Sequence, residues 1–328
     1  MHNFKKPLQF IICIGVLGIV IWLLDLALYP CTYTRNDIHT ISTQPRDVII
    51  LGTSNGKMGI DPDVMLEGTG LTGHNLAVGG EYTVDSYYLA KLAIEKQNPS
   101  TIIYEVDPGY FTIEKEFGNN YLLFLHEFPL SLTKLQYAAE TLKDGDFRTL
   151  LFPFYEYALK DTLPRAGDTL RRKLSGDYDV SMHRNDTLEY HENGFIERYP
   201  VAIEDFPAYS PMDFARENVL PENVKNMDRL IDMCQKKGIR FVAVITPLYG
   251  GTLQSISDVA NEAWDYFSEY FAGKGVDLYN FNREYFKAFS HEAKCFVDYE
   301  GHMNGDAARA FSHRLGEILF PQENSAEN

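Results

Sequence analysis

Apolar positions follow three patterns along the chain. The first is one long run from Pro7 to Tyr29, PLQFIICIGVLGIVIWLLDLALY, interrupted only by Gln9 and Asp25. A helix needs about 20 mostly apolar residues to cross the hydrocarbon layer, and this run is long enough with Asp25 near an interface. Trp22 and Tyr29 suit the aromatic belt at its far end. Lys5 and Lys6 precede it and only Arg35 follows closely, so the positive-inside bias places the N-terminus in the cytoplasm. The run exceeds the roughly 7–15 apolar residues of a signal peptide and no small-residue cleavage site follows. The expectation is an uncleaved single-pass anchor within residues 1–29 and a cell-membrane protein whose bulk is extracytoplasmic.

The second pattern is short apolar runs closed by turn residues: Val48–Leu51 before Gly52, His74–Val78 before Gly79-Gly80, Thr101–Val106 before Asp107-Pro108-Gly109, Phe241–Ile245 before Thr246-Pro247, and Val276–Phe281. The third is helical striping, as in Asp85–Glu95, in Asn223–Lys237 ahead of Gly238, and in Ala307, Phe311, Leu315 and Ile318. Strand-like runs alternating with helical stripes predict an α/β fold. The expected form is a three-layer sandwich around a parallel, five-stranded, flavodoxin-like sheet. Residues 30–46 read as a polar linker, 47–320 as the extracytoplasmic domain, and 321–328 as a tail. The interval 109–222 breaks the alternation; its aromatic-rich and then charged stretches suggest a helical insert.

Composition narrows the function classes. With 45% hydrophobic and 13% aromatic residues in 328, the chain has enough apolar mass for a core. The net charge of −16, from 30 basic and 46 acidic residues, argues against a nucleic-acid binder. It also argues against adhesion of the folded part to an anionic membrane. Four cysteines (Cys13, Cys31, Cys234, Cys295) show neither ligand spacing nor a disulfide framework. No P-loop, Rossmann or metal motif is present, so no cofactor and no metal are expected.

Candidate chemistry gathers at three points. In DVIILGTSNGKMGIDP a strand runs directly into Gly-Thr-Ser, which sets Ser54 at the carboxyl edge of the sheet, where open α/β folds bind ligands. The Ser54 N–H and the backbone of Gly80, at the end of the next strand, are candidate oxyanion donors. Near the C-terminus, DYEGHMN brings His302 to the same edge. A serine needs a base to become a nucleophile, and a histidine base needs a carboxylate to orient it; Asp298 and Glu300 both qualify. His74, His126, His183, His191 and His313 read as structural or surface residues.

Together these blocks resemble the SGNH (GDSL-type) hydrolase superfamily. The closer likeness is to its membrane-anchored cell-envelope branch, which includes the lipoteichoic-acid D-alanylation protein DltD and accessory proteins of polysaccharide O-acetylation. GTSNGKMGIDP is similar to the serine block, NLAVGG to the glycine block, IIYEVDPGYF to the third strand and DYEGHMN to the closing Asp–His block. The resemblance implies Ser54 as nucleophile, His302 as base, and Ser54 and Gly80 as part of the oxyanion hole. The family's Asp stands three residues before its His, where this chain has Tyr299; Asp298, four before, is favoured over Glu300. The asparagine that secreted members carry after the third strand is absent.

The implied function is a serine acyl transferase or hydrolase acting on acyl esters of a cell-surface glycan or teichoic-acid-like polymer. The implied partner is a membrane-bound O-acyltransferase. Two rivals are a simple carbohydrate esterase and a catalytically silent binding or assembly protein.

Overall fold

A computed structural model of the chain describes residues 5–115, 124–142, 148–155, 162–175, 183–201 and 212–321. They form two compact units. The smaller comprises residues 1–35 with 116–182, the larger 36–115 with 183–328. The intervening stretches of the predicted insert, and residues 322–328 of the predicted tail, lie outside the described residues.

The larger unit is built on a five-stranded sheet. Its strands are β1 (Val48–Leu51), β2 (Gly73–Asn75), β3 (Thr101–Glu105), β6 (Arg240–Ile245) and β7 (Asp277–Asn280), every neighbouring pair parallel. Their spatial order is β2-β1-β3-β6-β7, the flavodoxin-like arrangement. The runs Val48–Leu51 and Thr101–Glu105 are buried at every position, so they read as unbroken apolar strings rather than alternating ones. Side chains nonetheless alternate between the two faces. Val48, Ile50, Ile103, Val242 and Val244 share one core with Phe311 and Leu315 of the C-terminal helix, Gly305–Leu319. On the other side the helices Thr83–Lys96 and Pro221–Lys237 pack together and against β1 and β6. These are the three expected layers.

Two differences from the sequence pattern have simple causes. The predicted second strand His74–Val78 is regular only over Gly73–Asn75. Beyond it the Leu76 and Val78 N–H groups still donate to the Ile50 and Gly52 carbonyls, so the chain stays beside β1 without ladder geometry. The polar segment 30–46 holds a helix over Tyr33–Thr43 rather than a bare linker. Only Ile38 and Ile41 are its buried aliphatic residues, too few to mark a stripe, and a charged residue, Asp37, is buried with them.

The interval 109–222 carries helices at Leu132–Thr141 and Ala166–Ser175. It also carries an antiparallel hairpin of β4 (Leu188–Tyr190) and β5 (Ile196–Arg198), which no sequence signal had indicated. Phe195 of that hairpin is fully buried in the core of the larger unit. The smaller unit contains the N-terminal helix, Lys5–Leu28, which is long and apolar enough to cross a membrane.

Candidate active site

The sheet topology sets where a site can form. After β1 the chain turns to β2 on one side and then returns to β3 on the other. That reversal opens a crevice at the carboxyl ends of β1 and β3. Ser54 begins the short helix Ser54–Gly59 immediately after β1, so it stands at this reversal.

The turn into that helix rests on Glu105, the last residue of β3. Register pairs Leu51 with Tyr104, which brings Glu105 beside Gly52 and Thr53. Its Oε2 accepts from the Thr53 N–H at 2.7 Å and from the Thr53 hydroxyl at 2.9 Å. Gly52 adopts φ +131°, and a Cβ there would lie 2.7 Å from the Glu105 Cβ and carbonyl oxygen. A Cβ on Gly56 would meet the Glu105 Cβ at 2.9 Å. Both glycines in GTSNG are thus required by the closeness of β3. Burial pushes the Glu105 carboxyl up to about 8, so it stays protonated at neutral pH. Burial likewise raises Asp107 to about 6, and it raises Glu81 well above the ordinary carboxylate range.

The second contributor is the loop between β7 and the C-terminal helix. Asn304 caps that helix by accepting from the Ala307 N–H, and an isolated bridge pairs Phe296 with Met303. The loop ends are thereby held, and Gly301 turns within it at φ +98°. A hydrogen bond from the Thr252 hydroxyl to the Tyr299 carbonyl, 2.8 Å, braces its tip. His302 emerges with Nε2 2.7 Å from Ser54 Oγ and Nδ1 2.7 Å from Asp298 Oδ2. An Nδ1–H donated to the carboxylate leaves Nε2 as acceptor for the serine hydroxyl.

Asp298 is itself fixed, its Oδ1 accepting the N–H groups of Glu300 at 3.0 Å and His302 at 3.3 Å. Burial pushes the Asp298 carboxyl up, but the hydrogen bonds and charge of His302 outweigh it and hold the group below its ordinary value. The four-residue spacing is therefore no obstacle to contact. The tight turn at Gly301 brings the two side chains together, while Glu300 contributes its backbone to the loop and turns an exposed side chain to solvent.

Asn55 ties the two contributors together, its Nδ2 donating to the Glu300 carbonyl at 3.3 Å. Gly80 has φ +80° and follows Gly79, where an added Cβ would stand 3.7 Å from the Ser54 Cβ. The glycine pair thus borders the serine.

Of the sequence-predicted residues, Ser54, His302 and Asp298 form one hydrogen-bonded series, with Gly80 at its margin. Glu105, Asp107 and Asn55 were not singled out from the sequence. Glu105 had a readable signal, an acidic residue inside the apolar string TIIYEV. Asn55 had none, because its role depends on a loop more than 200 residues away.

No protein-family model matches the sequence, and no curated protein matches it. Among solved structures the chain is similar to a "putative acylhydrolase" from Bacteroides fragilis NCTC 9343, at 8% identity over 86% of this chain and 92% of that one, with a TM-score of 0.40. It is also similar to a "putative platelet activating factor" from Streptococcus pneumonia, at 13% identity over 94% of this chain and 99% of that one, with a TM-score of 0.41. Likeness at this level assigns neither family nor chemistry.

Proposed function

We propose that the chain is a membrane-anchored serine acyl hydrolase or acyl transferase, with Ser54 as nucleophile, His302 as general acid and base, and Asp298 as the group that orients His302. The observation that carries this reading is the continuous series from the Ser54 hydroxyl through both nitrogens of His302 to the Asp298 carboxylate. In the first half-reaction Ser54 Oγ bonds to the acyl carbon of an ester as its proton passes to His302 Nε2. Asp298 stabilises the imidazolium so formed. The oxyanion that develops is met by the N–H groups of Ser54 and Gly80. Its collapse breaks the bond to the leaving alkoxide, which takes the proton from His302. The Ser54 ester is then resolved by water or by an acceptor hydroxyl, by the same steps in reverse order.

A cell-surface glycan ester outside the membrane is the substrate class that fits this reading. The net charge of −16 disfavours a polyanionic polymer held by charge and so favours a neutral glycan among the cell-surface polymers that the likeness of the sequence blocks implies. Delivery of the acyl group by a membrane-bound O-acyltransferase belongs to the transfer form of the proposal. An assay with a glycan acceptor separates transfer from release to water.

The decisive experiment is labelling of the full chain with a fluorophosphonate probe. The expected adduct maps to Ser54 and is lost in Ser54→Ala. In ester turnover, Asp298→Asn lowers kcat by up to about 10⁴-fold through the wrong histidine tautomer, whereas Glu300→Gln stays within a few-fold of the parent. A folded parent protein that takes no label overturns the enzyme reading.

A further inference from the structure

The smaller unit has a surface unlike that of the larger one. Outside the N-terminal helix, the large apolar side chains it exposes among the described residues are Leu130, Leu132, Leu135, Tyr155, Leu163 and Leu174, with Leu130 88% exposed. These occur on short segments within the same compact unit as a helix that is itself apolar on all sides.

At the outer end of that helix lies a cleft of about 430 Å³, lined by Trp22, Asp25, Leu26, Tyr29, Arg35 and Lys173. Its walls combine two aromatic rings, two cations and one carboxylate. The carboxylate is engaged, since Asp25 Oδ1 accepts the Phe154 N–H at 3.0 Å. The Lys173 ammonium is held in place by donating to the Tyr29 carbonyl at 2.6 Å, and it lies 5.6 Å from the centre of the Tyr29 ring. Burial lowers the pKa of this ammonium, a penalty that an incoming anion relieves.

Aromatic rings at the end of an apolar helix settle at the level of lipid head groups. Cations at that depth meet phosphates, and a guanidinium matches a phosphate in two-pronged fashion. We propose that this cleft binds the phosphodiester head group of an anionic phospholipid, drawn from the bilayer that the N-terminal helix crosses, with Arg35 and Lys173 as its donors and the exposed leucines of the unit resting on the membrane surface. The overall acidity of the chain does not oppose this, because charges beyond a screening length of about 10 Å contribute little. The inference rests on the N-terminal helix spanning the membrane and is independent of the chemistry at Ser54.

The test uses the full chain reconstituted in nanodiscs of phosphatidylcholine and phosphatidylglycerol, followed by native mass spectrometry of the lipids retained after extraction. The expected result is preferential retention of phosphatidylglycerol, unchanged in Ser54→Ala. Arg35→Gln and Lys173→Gln should each reduce it about fivefold, as removal of one cation near a lipid surface predicts, and Lys173→Arg should preserve it. Equal retention of both lipids by the parent chain overturns the proposal, and this readout holds even where a variant fails to fold. Full retention in both glutamine variants also overturns it, as does displacement of the lipid by inorganic phosphate at similar strength or retention of a co-purifying polypeptide in place of lipid.

Discussion

At the residue scale, the position of Ser54 depends on an acid that does not touch it. Glu105 receives both the N–H and the hydroxyl of Thr53, which is 2% exposed. Removing that acceptor with Glu105→Ala leaves two buried donors unpaired, at about 1–3 kcal/mol each. Glu105→Gln keeps a carbonyl oxygen in the same place and mimics the protonated acid. The native carboxyl titrates near 8 against an ordinary value of 4.5, so between these limits the folded chain holds a proton that the unfolded chain has released. Stability from this group is therefore full below about pH 4.5 and falls as pH rises toward about 8. Urea midpoints across pH should show a shallower decline in Glu105→Gln than in the parent, with the variant the more stable above pH 8. Glu81 retains its own share of the slope. Identical pH profiles for the two proteins would falsify this account of Glu105.

At the element scale, the helix that begins with Ser54 is anchored at its far end by a buried ion pair. Lys57 Nζ lies 2.8 Å from Asp37 Oδ2 on the Tyr33–Thr43 helix and donates to the Asn75 carbonyl at 2.9 Å. His74 Nε2, at 2.9 Å, and the Tyr190 hydroxyl, at 2.7 Å, meet the other Asp37 oxygen. Residues from the Ser54 helix, β2 and the β4–β5 hairpin thus converge on one carboxylate. Burial pushes Asp37 up, but Lys57 and His74 together hold it below its ordinary value, ionised. Breaking such a pair from one side costs about 3–5 kcal/mol, because a charge is stranded out of water. Lys57→Met should lower the unfolding midpoint accordingly, and adding Asp37→Asn should recover part of the loss. Additive losses in the double variant would show that the two side chains do not act as a pair. This network was hidden from sequence reading: Asp37 lies in a polar stretch read as a linker, and its 20-residue separation from Lys57 carries no periodic signal.

At the scale of the whole molecule, the N-terminal helix is long and apolar enough to cross a membrane. It runs over Lys5–Leu28, and its side chains are largely exposed. The full chain should stay in the membrane pellet through an alkaline wash. Val16→Lys with Ile19→Lys places two charges near the helix centre at about 2.5–3.5 kcal/mol each, and should move the protein to the supernatant. Retention of that variant in the pellet would transfer the membrane attachment to other parts of the chain.

The sequence by itself determined the features whose information is local. The long apolar run, the parallel sheet and the turn that carries Ser54 all follow from continuous stretches in which periodicity and turn chemistry agree. Ser54 was legible because it directly follows a strand, and His302 and Asp298 because they share one short loop ahead of the last helix, which the α/β architecture brings to the same edge. The tertiary structure alone decided what depends on distant partners. It selected Asp298 over Glu300, because the turn at Gly301 directs one carboxylate to His302 and the other side chain to solvent. It made Glu105 the support of the serine turn through strand register, and it buried Asp37 against Lys57. Burial and hydrogen bonding between remote segments arise only when the chain packs, and no pattern of neighbouring residues encodes them.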